Sequence, residues 1–452
     1  MIERLERKFE RIKEKELIIR GSVSFKYGWL VERINYWTNY LASLGHKDGK
    51  VVFLEGDFSP NSIALLLSLI KLNNIIVPLT RVRDELRNKY MAIARPEVTV
   101  RFEAEDKVEV IDAGVISSNN YYDRLRERRH PGMIFFSSGS TGESKAAIHD
   151  LSLFMSKFNI SNNAYRTLVF LLFDHIGGIN TLLYTLHNEG TIVVPQSLTP
   201  DDVLAAVEKN KVELLPTTPT FLNLVLISEA YKRHDLSSLK LITYGTEPML
   251  ESTLRRFNEY FPAIKLKQTY GLSELGILHS RSKGPDSLWM EIGGEGYETR
   301  IVDGVLHIRT DSAMLGYLNA ENPFSEDGWF NTGDIVDVDG KYLKILGRDS
   351  EIINVGGEKV YPAEVESVIK ELENIEDAVV YGEKNPIVGN IVCAKIKLLV
   401  QEDLKNLTLR VKSHCSGRLD DYKVPVGITI TEEQQFNKRF KKIRKQDKFP
   451  GK

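Results

Sequence analysis

Up to about Ile292 the chain alternates short β-branched apolar runs with stretches of helical periodicity, and few folds accept that order. Apolar residues recur at helical spacing over Tyr27–Leu44; Val51–Leu54 (VVFL) then reads as a strand, Asn61–Lys71 as a helix and Ile75–Leu79 (IIVPL) as the next strand. Thr167–Phe173, Thr191–Val194 and Leu241–Tyr244 are further β-rich runs, separated by helical stretches such as Asp201–Asn210. A helix between successive strands is the connection that parallel pairing needs, so the pattern predicts an α/β fold with mostly parallel sheets. Such sheets present ligands at the carboxyl ends of their strands.

After Ile292 the texture changes. Glu298–Arg309 reads as two strands turning at Asp303-Gly304, and Ile335–Leu346 repeats that design around Asp339-Gly340. A small antiparallel unit therefore closes the first part. Beyond Gly347-Arg348-Asp349-Ser350 come a helix from about Pro362 to Leu372, strands at Ala378–Tyr381 and Ile391–Leu398, and a helix from about Glu402 to Arg418. The expected division is a large N-terminal α/β domain over 1–348 and a small α+β C-terminal domain over 349–452.

Composition narrows the function classes. With 452 residues, 42% of them hydrophobic, the chain can bury the core of two or three domains and is not disordered. Lys plus Arg number 60 and Asp plus Glu 62, a net charge of −2, which excludes a globally basic nucleic-acid binder. Two cysteines, Cys393 and Cys415, exclude a disulfide framework. The start, Met1–Arg20, carries Glu, Lys and Arg at helical spacing without the apolar stretch of a secretory signal. The run Ile63–Ile70 stops at Lys71, short of the roughly 20 residues of a membrane span, and reads as a buried helix. A soluble cytoplasmic protein with no membrane span and no nucleic-acid partner is expected.

The sharpest local feature is FFSSGSTGESK, Phe135–Lys145. Two aromatic residues end a strand, and a loop of Ser138, Gly139, Ser140, Thr141 and Gly142 follows, closed by Lys145. Glycines let backbone N–H groups turn inward, hydroxyls add donors, and the lysine supplies positive charge, a combination suited to polyphosphate. It is not a P-loop, which needs Gly-Lys-Ser/Thr, whereas Lys145 follows Ser144.

At this loop the sequence resembles the adenylate-forming superfamily, which includes acyl-CoA synthetases, aryl-acid ligases, adenylation domains of peptide synthetases and luciferases. Ser137–Lys145 matches the superfamily's phosphate loop except for Ser144 in place of proline. Further motifs follow in order. QTYGLSE (Gln268–Glu274) matches Tyr-Gly-x-Thr/Ser-Glu, and the resemblance implies that Tyr270 packs on adenine, Ser273 contacts phosphate and Glu274 helps hold Mg2+. GTEPM (Gly245–Met249) matches a segment lining adenine and the acyl carboxylate, which brings in Gly245, Thr246 and Glu247. WFNTGD (Trp329–Asp334) implies that Asp334 accepts from the ribose hydroxyls, with Arg348 reaching ribose or phosphate. FDHIGG (Phe173–Gly178) falls beside the acyl pocket, where His175, Gly271 and Leu272 would contact the acid; His175 reads equally as a satisfied core group. His149, just past the loop, reads as a capping or packing residue.

EIINVGGEKVYPAEVE (Glu351–Glu366) resembles the segment that opens a mobile C-terminal domain. The resemblance implies a hinge at Ser350 and a pantetheine tunnel at Gly356 and Gly357. The superfamily ends on Pro-x-Thr-x-x-Gly-Lys-x-x-Arg, whose lysine stabilises the attacking carboxylate and the pentavalent phosphorus. Aligned on Lys442-Ile443 in FNKRFKKIRK (Phe436–Lys445), that lysine is Lys442, with Lys441 the alternative. Thr141 and Glu274 complete the expected catalytic set.

The implied reaction has two steps. A carboxylic acid attacks ATP to give an acyl-adenylate, and a thiol then takes the acyl group. The acceptor is CoA, in an acyl- or aryl-CoA ligase, or the phosphopantetheine of an acyl or peptidyl carrier protein. A third reading is a non-catalytic nucleotide-binding homologue.

Overall fold

The computed structural model describes residues 2–46, 48–102, 108–138, 143–159, 163–294 and 296–443. Two seven-stranded sheets draw every strand but one, Gly316–Tyr317, from the chain up to Gln268. The first runs Lys265–Gln268, Leu241–Tyr244, Leu214–Thr217, Arg166–Leu168, Thr191–Val194, Glu16–Arg20, Val23–Lys26 and is parallel up to its terminal hairpin. The second runs Gly316–Tyr317, Ser144–Asp150, Gly132–Ser138, Ile75–Leu79, Val51–Glu55, Val98–Phe102, Val108–Asp112, with a parallel centre and antiparallel edges. The α/β expectation is therefore met.

The core between these sheets is filled by helices. Pro60–Lys71 is buried along almost its whole length, as the run Ile63–Ile70 predicts. Ser59 caps it, accepting from the Ser62 N–H at 3.1 Å, and Pro60 takes the first-turn position where its missing N–H costs nothing. Tyr27–Ser43 and Ile176–His187 share the same apolar cluster, which joins Ile18 and Ile192 of one sheet to Val52, Leu54 and Phe135 of the other.

The start differs from its expected helical reading. Only Ile2–Arg11 is helical; Glu16–Arg20 is a strand, with Ile18 paired in parallel register to Ile192. Leu17, Ile18 and Ile19 are buried there, so β-branched packing against a distant strand overrides the charge periodicity before it. The run Thr167–Phe173 is likewise strand only as far as Leu168.

A six-stranded antiparallel sheet contains both Asp-Gly hairpins, Tyr297–Val302 with Val305–Thr310 and Phe330–Asp339 with Tyr342–Arg348. After a 3-10 turn at Asp349–Glu351 every strand belongs to a separate sheet. There the hairpin Ile375–Asn385/Gly389–Leu398 is followed by helix Leu404–Ser416 and by Gly427–Ile430, which returns parallel to Gly389–Leu398. Among the described residues no helix is long and apolar enough to cross a membrane.

Candidate active site

The strands on either side of the phosphate loop form a β-hairpin. Strands Gly132–Ser138 and Ser144–Asp150 pair antiparallel, with Ser137 opposite Lys145. Gly139, Ser140, Thr141 and Gly142 lie outside the described residues, as does the side chain of Ser138. Lys145 places its ammonium 5.0 Å from the ring centre of Tyr317. The Tyr317 hydroxyl in turn donates to Glu274 Oε1 at 2.5 Å. Asn319 fixes the arm of the loop, accepting from the Ala146 N–H at 3.0 Å and donating to the Ser144 carbonyl at 2.9 Å. Neither Tyr317 nor Asn319 was singled out by sequence; Tyr317 lies on a two-residue strand, Gly316–Tyr317, that closes the edge of the sheet, and Asn319 follows two residues after it.

Tyr270–Leu272 is one strand of a short hairpin with Gly276–Leu278. His149, wholly buried, donates from Nε2 to the Ser273 carbonyl at 2.7 Å and so pins this turn. Burial holds its imidazole neutral, down to about 4. Tyr270 donates to Asp334 Oδ2 at 2.5 Å, and Arg348 Nε lies 2.8 Å from Asp334 Oδ1. Asp334 and Arg348 face each other across the ladder of Phe330–Asp339 and Tyr342–Arg348, so the sheet itself sets the pair. Burial raises the Asp334 carboxyl, with Arg348 and Tyr270 opposing that rise. Tyr270, Asp334 and Arg348, from separate motifs, thus form one cluster.

Gly245–Glu247 follow strand Leu241–Tyr244. Thr246 adopts φ 73°, a left-handed conformation costly for a β-branched residue. Its Oγ1, like Gln268 Oε1, is buried without a hydrogen-bond partner among the described residues. These are polar atoms that a bound base would satisfy. The Glu247 carboxylate is engaged at both oxygens: Oε1 accepts from the Thr220 N–H at 2.7 Å and Oε2 from the Lys442 N–H at 3.2 Å. Its carboxylate is a latch between the helix Pro219–Ser228 and the C-terminal segment.

That segment is a tight turn. Asn437 accepts at its side-chain oxygen from the N–H groups of Arg439 (2.8 Å) and Lys441 (3.2 Å), and Phe436 bridges to Lys442. Lys442 does not reach the nucleotide cluster. Its Nζ donates to the Ala378 carbonyl at 2.8 Å and lies 3.1 Å from Glu366 and 3.2 Å from Asp377. Glu366 and Asp377 belong to the last sheet and its helix, so Lys442 faces away from the site. Lys441 takes the other side. The residue is exposed, yet desolvation of its ammonium is the largest influence on it and lowers its pKa, and the charges acting on it are Arg348, Glu247, Glu351 and Asp334. Arg439 lies 3.6 Å from Asp174, which accepts from Thr80 Oγ1 at 2.8 Å. His175, next in sequence, accepts at Nδ1 from the Gly177 N–H at 3.1 Å and caps helix Ile176–His187. Burial, with Arg439 and Lys441, lowers its pKa to about 3, so it stays neutral and is not a protonation switch.

Ser350 is exposed in the middle of the 3-10 turn between the six-stranded sheet and the last one. Gly356 and Gly357 form the turn between Ile353–Val355 and Glu358–Val360, with φ 60° and 97° and open space where a Cβ would stand. Here the left-handed backbone, rather than close approach, calls for glycine.

The cluster combines a nucleotide-suited acid–arginine pair, a carboxylate linked through Tyr317 to Lys145, and the Lys441 charge. A profile of the AMP-binding enzyme family matches residues 5–318, and one of the AMP-binding enzyme C-terminal domain matches 364–441. The chain belongs to the AMP-binding enzymes. Among relatives in this adenylate-forming superfamily is an indoleacetate–CoA ligase of Aromatoleum aromaticum, 28% identical over 334 residues, 67% of this chain and 64% of that one. Another is 4-coumarate–CoA ligase-like 9 of Arabidopsis thaliana, 26% identical over 338 residues, 68% of this chain and 60% of that one. The matches thus span less than two thirds of these relatives' length. An anthranilate CoA ligase in complex with anthranoyl-AMP shares the fold at TM-score 0.84, with 20% identity over 98% of this chain and 95% of that one. ATP-bound MatB from Rhodopseudomonas palustris does so at TM-score 0.79, with 20% identity over 97% and 96% of the two chains.

Proposed function

We propose that this AMP-binding enzyme activates a carboxylic acid with ATP and transfers the acyl group to CoA. The observation that carries the reading is the paired cluster of Tyr270, Asp334 and Arg348, on which the charge of Lys441 acts from the side of the C-terminal turn where Arg439 and Lys441 also act on His175. In the first step a carboxylate oxygen bonds to the α-phosphorus of ATP and the bond to pyrophosphate breaks. Such a step is served by fixed positive charge more than by covalent chemistry. Lys441 supplies that charge, in the role expected first of Lys442. Asp334 and Arg348 hold the ribose, Tyr270 and Thr246 flank the base, and Lys145 with the loop Ser138–Gly142 holds the outer phosphates. Thr141 acts there on the phosphates.

Among the described residues no group of three or more acidic, His or Cys side chains forms a metal cage. A lone carboxylate, Glu274, suits Mg2+, which keeps waters and phosphate oxygens as its other ligands. Bound there, the ion would neutralise phosphate charge, and Glu274, oriented by Tyr317, would be its protein ligand.

In the second step the thiol sulfur bonds to the acyl carbon, the mixed anhydride opens and AMP leaves. We place the domain boundary at Arg348/Asp349, with Ser350 as hinge; rotation there withdraws Lys441 and brings Gly356 and Gly357 to a pantetheine path. His175, Gly271 and Leu272 line the acid. The buried free thiols Cys393 and Cys415 suit a reducing cytoplasm.

Carboxylate-dependent exchange of labelled pyrophosphate into ATP tests the first step. CoA and a phosphopantetheinylated carrier, offered in parallel, test the acceptor. Exchange with thioester formed only on the carrier replaces CoA as the acceptor. ATP binding with no exchange for any acid leaves a non-catalytic nucleotide-binding homologue.

A further inference from the structure

Lys157 is a half-buried cation that the adenylation chemistry above leaves unused. It lies in the 3-10 turn Ser156–Asn159, directly after helix Leu151–Met155. Its Nζ donates to the Ile277 carbonyl at 3.2 Å and stands 4.0 Å from the ring centre of Phe154 and 5.3 Å from that of Phe158. Among the described residues no carboxylate comes within ion-pair distance of it. An ammonium has three donors, and the carbonyl takes one. Burial alone pushes its pKa down to about 7.

Among the described residues no counter-charge offsets this desolvation, which is the sole influence on the Lys157 ammonium. The titratable groups facing it, His149 and His279, are lowered first by burial and further by the Lys157 charge, with Lys267 acting more strongly at His279, so both stay neutral and leave the ammonium without a counter-ion. A desolvated ammonium with no counter-charge is suited to an anion.

Its position says which anion. Ile277 is the residue opposite Gly271 in the hairpin Tyr270–Leu272/Gly276–Leu278. Helix Ile176–His187, capped by His175, packs on the strand Gly276–Leu278. The ammonium therefore stands against the same hairpin and near the same helix that line the acid in the reading above. A Cβ at Gly276 would lie 3.7 Å from Nζ, so glycine there leaves that flank of the ammonium uncrowded.

We propose that Lys157 holds a second carboxylate of the substrate, so that this enzyme activates dicarboxylic acids at one end while Lys157 binds the other. The assignment rests on the acid-activating reading of the site. The distal carboxylate takes the two spare donors in charge-assisted hydrogen bonds. A monocarboxylic acid of the same length leaves the ammonium unpaired beside a methyl or ring edge.

The test is pyrophosphate exchange with chain-matched pairs, hexanoate against adipate and benzoate against terephthalate, in the full-length enzyme and in Lys157→Met and Lys157→Arg. The wild type is expected to prefer the dicarboxylate of a pair by about 10- to 100-fold in kcat/KM. Lys157→Met should reverse that preference, losing the dicarboxylate and gaining the monocarboxylate, while Lys157→Arg keeps it. ATP affinity by calorimetry identifies any variant that is misfolded, and Lys157→Arg then carries the comparison. Preference of the wild type for monocarboxylates, or equal loss of both classes in Lys157→Met, overturns the distal site and leaves the ligase reading standing. No exchange with any acid overturns the ligase reading and the distal site with it.

Discussion

Lys441 and Lys442 are neighbours in sequence whose side chains enter opposite environments: the Lys441 charge is felt by Asp334 and Arg348 acts on it, whereas Lys442 lies 3.1 Å from Glu366 in a buried ion cluster. Burial works against the Asp377 carboxylate, yet Lys442 and Lys370 hold it below the usual carboxylate range. Lys441→Ala should cut pyrophosphate exchange by about 10²- to 10³-fold with the melting temperature unchanged. Lys442→Ala removes one of the two cations, with Lys370, that hold Asp377 ionised, takes the same ion from Glu366, and should destabilise the C-terminal unit by about 3–5 kcal/mol. Thermal unfolding beside exchange rates separates the two. A Lys442→Ala enzyme that keeps its stability and loses exchange would reverse the roles.

Phe440 anchors the turn that carries Lys441. Its ring lies 5.2 Å from Phe170 and 5.6 Å from Phe221 in the core of the first sheet. It holds φ 52°, a conformation that Phe adopts only when packing insists. Phe440→Ala should slow adenylation about tenfold, the worth of one or two aromatic contacts, and spare thioester formation from a supplied acyl-adenylate. Phe440→Gly, which also relieves the backbone, should lose less. Equal loss in both half-reactions would argue that the ring merely stabilises the fold.

What could be read from sequence was what local pattern encodes. Pro60–Lys71 follows from an apolar run, and the Asp-Gly hairpins from their turn residues. Asp334 and Arg348 were legible as motif members, though their facing one another depends on strand register. Tyr317, Arg439 and Phe440 were not legible, because each owes its place to a partner distant in sequence: Glu274, Asp174 and Phe170. The strand Glu16–Arg20 was hidden for the same reason, its partner being Thr191–Val194. For the terminal lysine a signal did exist. Counting the Lys-x-x-Arg spacing from Arg444 picks Lys441 and puts Phe440 on the motif's glycine. The positive φ of Phe440 is the glycine's backbone kept without the glycine.

Tyr317 ties the phosphate loop to the carboxylate proposed for Mg2+. Tyr317→Phe keeps the ring beside Lys145 and removes only the hydroxyl that donates to Glu274. A hydrogen bond to a charged group is worth about 1.5–3 kcal/mol, so exchange at limiting Mg2+ should fall by roughly ten- to a hundredfold. Excess Mg2+ should restore much of it, while stability changes little. A loss that no Mg2+ concentration relieves would separate Tyr317 from metal binding.

Lys157 makes both stability and specificity depend on pH. Its folded pKa of about 7 lies below the roughly 10.4 of an unfolded lysine. Below pH 7 the ammonium is charged in both states, and the folded protein bears the full burial penalty. Between those values the unfolded chain binds more protons, so stability rises with pH. Lys157→Met should therefore melt higher than wild type at pH 6, with the gap closing toward pH 10. Substrate binding adds the opposite demand, since a distal carboxylate needs the charged form. For the wild type, KM for dicarboxylates should climb as pH passes 7, while KM for monocarboxylates does not. Lys157→Arg, charged throughout, should flatten the dicarboxylate profile. A wild-type profile already flat from pH 6 to 9 would mean that Lys157 meets no carboxylate in the bound state.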